Sequence, residues 1–85
     1  MYSKECVETF LKNQGQLFRE PVADNYEEAE AFLEDCCAEV VNGLREVRRF
    51  LDEMGADVKG MSDQELKEAA EVFALSGGKY LIVEG

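Results

Sequence analysis

The chain has 85 residues, 46% of them hydrophobic and 33% charged, and 19 acids against 9 bases leave a net charge of −10. That length fits one domain with a shallow core. The charge argues against direct nucleic-acid binding and adhesion to anionic membranes, both of which need a basic surface.

The opening segment, MYSKECVETFLKNQG, holds no apolar run of signal-peptide length. No segment approaches a membrane span of about 20 apolar residues. With three cysteines and no such signals, the expectation is a cytoplasmic protein with reduced thiols. Ser3 is positioned to cap a first helix carrying Cys6, Val7, Phe10 and Leu11 on one face, with Gly15 as its stop. Gln16–Glu20, bounded by Gly15 and Pro21, is a candidate short strand.

The dominant pattern begins at Asp24 or Asn25, either of which can cap a helix with Glu27 or Glu28 three residues on. Apolar residues then recur at Tyr26, Ala29, Leu33, Cys36, Val40, Leu44, Val47, Leu51 and Met54, always in steps of three or four. That spacing predicts one helical face from Asn25 to Met54, stopped by Gly55. Such a helix would run about 45 Å, longer than the roughly 30 Å diameter of a domain this size. It must either break at Asn42-Gly43 or protrude toward a partner.

Ser62 and Glu65 form a capping-box signature for a short helix reaching about Glu71. Two β-forming runs follow, Val72–Leu75 and Tyr80–Val83, around Ser76-Gly77-Gly78-Lys79. They predict a tight hairpin with Phe73, Leu75, Tyr80 and Ile82 on one face and Val72, Ala74, Leu81 and Val83 on the other. Both faces are apolar, so a third strand, a loop or a partner must cover the second. The fold class expected is therefore α+β in a single domain over residues 1–85, with a short N-terminal helix, one long central helix, a short helix and a C-terminal hairpin.

Motifs for chemistry are sparse. There is no histidine, which removes the commonest general base and the Ser-His and Cys-His nucleophile pairs. Gly77-Gly78-Lys79 lacks the upstream glycine and the hydroxyl residue of a phosphate loop. Cys36 and Cys37 are adjacent, so on a helix they point about 100° apart and cannot chelate as a Cys-x-x-Cys pair does; burial in the core is the expectation. No catalytic, cofactor-binding or metal residue is assigned, and no family motif is matched.

What remains is charge. Glu20 to Glu39 carries eight acids and no base. Glu27, Glu30 and Glu34 share one helical face, while Arg45, Arg48 and Arg49 lie further on, with Glu46, Asp52 and Glu53 within local pairing distance. Two long helices crossing antiparallel near Gly43 would set Asp35 against Arg49 and Glu39 against Arg45 of a second copy. The expectation is a non-enzymatic binding or regulatory module, homodimeric through the long helix, whose acidic face meets a basic protein. The competing expectation is a thiol-dependent metal, redox or enzyme-subunit role using the cysteines.

Overall fold

Three hydroxyl or amide side chains open three helices. Ser3 Oγ accepts the Cys6 N–H at 3.3 Å and starts α1, Lys4–Asn13. Asn25 Oδ1 accepts the Glu28 N–H at 2.9 Å and starts α2, Tyr26–Asp35. Ser62 and Glu65 exchange a reciprocal capping box at the start of α4, Asp63–Lys67. A further helix, α3, spans Leu44–Glu53. The strands are β1 (Glu39–Val41), β2 (Val72–Ala74) and β3 (Tyr80–Ile82). The computed structural model describes residues 2–83, which fill about 36 × 27 × 19 Å.

The α+β class is as the sequence implies, and the sheet lies between two helical layers. All three strands are antiparallel in the order β1-β3-β2, so the last strand is central. Phe73, Leu81 and Val83 pack with Val7, Phe10, Ala29 and Leu33 of α1 and α2. Val41, Val72 and Ile82 pack with Val47, Leu51 and Leu66 of α3 and α4. The second apolar face of the hairpin, which demanded a cover, is thus covered by the chain itself. Phe10 centres the first layer, stacked on Phe32 at 5.3 Å and edge-on to Phe73 at 5.6 Å and Phe18 at 6.4 Å.

The hairpin turn is the expected one, and its register is shifted by one residue. Gly77 and Gly78 take φ of 68° and 76°, a conformation open to glycine at no steric cost, and Lys79 N–H donates to Ser76 C=O. Leu75 N–H then donates to Lys79 C=O at 2.9 Å, so both Leu75 and Ser76 face Lys79. This bulge pairs Phe73 with Leu81 and Val72 with Ile82. Phe73 and Leu75 therefore share a face with Leu81, not with Tyr80 and Ile82, because a one-residue slip exchanges every side chain between faces. Ser76 N–H, released from the ladder, donates to Glu5 Oε2 at 2.7 Å, and the Ser76 hydroxyl donates to Oε1 at 3.0 Å.

The single helix from Asn25 to Met54 is not formed. Helix α2 ends in a Schellman motif: Cys37 N–H donates to Glu34 C=O at 3.3 Å and Ala38 N–H to Leu33 C=O at 3.1 Å. The chain then makes β1, and Gly43 becomes the extended N-cap of α3 at φ 164°, not a helix-interior residue. Two causes outweigh the 3.6-residue period. Val40-Val41 are β-branched and pair with Leu81 and Tyr80 on the open edge of β3. Splitting the stripe also lets its first half, Ala29 and Leu33, cover one face of the sheet while its second half, Val47 and Leu51, covers the other. The chain around Gln16–Glu20, a strand candidate, is a 3-10 turn at Gln14–Gln16 followed by irregular chain. Helix α4 stops at Lys67, short of Glu71.

Side chains hold the connections. Gln14, 8% exposed, donates from Nε2 to Leu11 and Ala23 carbonyls and accepts Val22 and Ala23 N–H on Oε1, filling the whole hydrogen-bonding capacity of its amide. Arg48 donates to Val58 C=O at 2.6 Å and Met61 C=O at 2.8 Å, tying α3 to the loop before α4.

Two substitutions read out this path. Cys37 is exposed and holds φ 57°, the one positive φ on a non-glycine among the described residues; that conformation costs about 1–2 kcal/mol with a Cβ. Cys37→Gly is expected to stabilise the fold by about 0.5–1 kcal/mol after glycine's larger unfolded-state entropy, measured as a raised urea midpoint at unchanged slope. At Gly43, the N-cap of α3, serine is expected to add a few tenths of a kcal/mol through a new side-chain cap, while alanine should cost about 0.5–1 kcal/mol. Alanine would instead gain about 1 kcal/mol if the helix ran through, so the Ala-against-Ser comparison separates the two paths.

Candidate functional site

Burial of Ala29 and Leu33 turns the opposite side of α2 outward. Glu27, Glu28, Glu34 and Asp35 are exposed there and Glu30 is half-buried. Glu27 and Glu28 lie in the first turn, where negative charge is favoured by the helix dipole, and Glu28 Oε1 also accepts the Asp24 N–H at 2.8 Å. The dipole does not account for Glu34 and Asp35, which sit in the last turn with no basic residue beside them. There they face the negative end of the helix at a cost of a few tenths of a kcal/mol each.

The other expected site residues are dispersed. Glu39 is on β1, Gly43 caps α3, and Arg45 and Arg49 are exposed on α3, which packs on the opposite side of the sheet from α2. Glu39 and Arg49 line one shallow depression of about 190 Å³ together with Glu46 and Phe50 of the same chain. The antiparallel crossing of two long helices at Gly43, with Asp35 against Arg49 and Glu39 against Arg45, has no continuous helix to run along. Pairing of the arginines with Glu46, Asp52 and Glu53 is not made either: among the described residues the one ion pair joins Arg48 to Asp63 at 3.6 Å.

The cysteines are spread over three environments. Cys6 is buried and its Sγ accepts the Ser3 hydroxyl at 3.2 Å; Cys36 is half-buried with Sγ 3.6 Å from Leu33 C=O; Cys37 is exposed rather than in the core. Among the described residues no group of three or more cysteine or carboxylate side chains is placed to hold a metal ion.

Two features escaped sequence reasoning. Tyr2 brings its hydroxyl to 3.0 Å from Leu33 C=O and 2.6 Å from Ala38 C=O, closing the end of α2 from 31 and 36 residues away. A cleft of about 440 Å³ lies beside it, between the start of α1 and β1, lined by Ser3, Glu5, Glu39, Val40 and Lys79 among others. The only sequence signal was an aromatic residue next to a helix cap, too common to single out. Comparison with protein-family models, with curated proteins and with solved structures finds no match.

The Tyr2 hydroxyl titrates above its ordinary value, first because of burial and then because of nearby Cys36, Cys37, Glu39 and Glu34 charge. A pKa raised by folding gives stability that is whole below the unfolded value of 10.0 and lost as pH climbs toward the folded one. Tyr2→Phe is expected to lower stability at pH 7 by about 0.5–1 kcal/mol, the worth of one hydrogen bond on a half-buried group. The difference between the two proteins in urea unfolding should shrink as pH rises past about 10.

Proposed function

We propose that this chain is a non-enzymatic binding module that presents the outer face of α2 to a basic surface on a partner protein, in a reducing cytoplasm. The observation that carries the reading is the pair Glu34 and Asp35, held against the helix dipole in a last turn that contains no basic residue. Solubility needs net charge but not charge at that end of a helix. With Glu27, Glu28 and Glu30 they make a single-sign face along the ten residues of α2. Such a face speeds encounter with a basic surface and fixes register once docked. Three cysteines outside any disulfide, one of them exposed, suit a reducing compartment.

The test is capture of partners from the native host by the tagged full chain at about 50 and about 300 mM salt, the higher value shortening the screening length roughly twofold. A basic protein retained at low salt, released at high salt and lost with the combined Glu27→Gln, Glu30→Gln, Glu34→Gln variant is the expected result. A specific partner that is neutral or acidic, or whose binding ignores salt and the three substitutions, overturns the reading.

A further inference from the structure

The bases of this protein are few, and the fold gathers four of them. Arg45, Arg48, Arg49 and Lys59 line a depression of about 340 Å³ together with Asp52 and Val58. Arg45, Arg48, Arg49 and Asp52 fall at i, i+3, i+4 and i+7 on α3, a single helical stripe. Lys59 comes from the loop after α3, and Arg48 fixes that loop by donating to Val58 and Met61 carbonyls. Val58 itself is 2% exposed, so the floor beside Lys59 is anchored in the second core.

This concentration runs against the composition. The chain has 19 acids for 9 bases, yet the depression holds four bases and one acid. Arg45 and Arg49 are a like-charge pair four residues apart, which destabilises a helix by about 0.2–0.5 kcal/mol, and Arg48 adds to the repulsion. Among the described residues Arg48 alone takes a carboxylate partner, Asp63, leaving Arg45, Arg49 and Lys59 without one. Arginine forks match the oxygens of a phosphate group, and a lysine ammonium adds a point charge beside them. The volume lies at the small end of the range for small-molecule sites.

The geometry points to a binding site here for a small phosphorylated molecule, its phosphate bridging Arg45, Arg49 and Lys59. The site is on the opposite side of the sheet from α2 and does not depend on the acidic face. The phosphate displaces no structural interaction, because Arg48 keeps its carbonyl partners. Selectivity for phosphate over a single carboxylate follows from the number of cationic donors lining one depression, since a tetrahedral phosphate offers them more acceptor oxygens. Nucleic acid is disfavoured as the source by the net charge of −10, which repels a long polyanion while leaving a small one free to reach the depression.

The experiment is amide chemical-shift titration of the full chain with pyrophosphate, and with citrate and chloride as comparison anions, at constant ionic strength. Saturable shifts confined to α3 and residues 57–60 with pyrophosphate are expected, with much weaker response to citrate and none to chloride. Arg49→Gln and Lys59→Gln should each weaken the affinity by about tenfold, the equivalent of one charge-assisted hydrogen bond. Asp52→Asn should tighten it by removing the one acid in the lining. All three side chains are exposed, so unchanged thermal unfolding of the variants separates lost binding from lost fold. Equal shifts with all three anions, non-saturating shifts, or pyrophosphate binding indifferent to these substitutions overturns the proposal.

Discussion

β3 is apolar on both faces and pairs on both edges, and the rest of the molecule is arranged around that condition. Leu81 and Val83 point into one helical layer, Ile82 and Tyr80 into the other. A strand buried this way cannot be served by one layer of helices. An 85-residue chain has enough apolar side chains for two layers only if each helix contributes a narrow stripe. Helices α1 and α2 supply one layer, α3 and α4 the other.

The crossing between layers is the costly step. It passes through Cys37, in a left-handed conformation, and through β1, which fills the second edge of β3. Tyr2 braces the turn from outside by reaching the Leu33 and Ala38 carbonyls. The flanking strands leave little edge exposed. Val83 N–H and Leu75 N–H bonds direct the odd-numbered groups of β3 toward β2, so Tyr80 and Ile82 serve β1 and leave only Val40 facing outward in that strand. On the far edge Val72 is already engaged, its N–H by Ala69 C=O and its C=O by Gln16 Nε2. Short, occupied edges of this kind protect a small sheet against pairing with other chains.

The same division of layers sorts the charges. Because α2 and α3 cover opposite faces of the sheet, the acids of α2 and the arginines of α3 point away from each other. A continuous helix would have kept both on one rod and offered a self-complementary seam. The folded chain places them on separate surfaces, on opposite sides of the sheet.

Local chemistry was legible in the sequence wherever it acts over a few residues. The caps at Ser3, Asn25 and Ser62, the Gly77-Gly78 turn, and the stripes of α2 and α3 taken separately all follow from neighbouring residues. The path from Cys36 to Gly43 was not legible, because Val40 satisfies the helical period as well as it satisfies a strand. What decided it was Leu81, 41 residues away, whose strand had an unpaired edge. The hairpin register was hidden for a similar reason: the bulge at Leu75-Ser76 is stabilised by Glu5, a residue 71 positions earlier. Periodicity records which residues are apolar and how often they recur. Which apolar surface they meet is set by contacts between distant parts of the chain, and only the tertiary structure contains those.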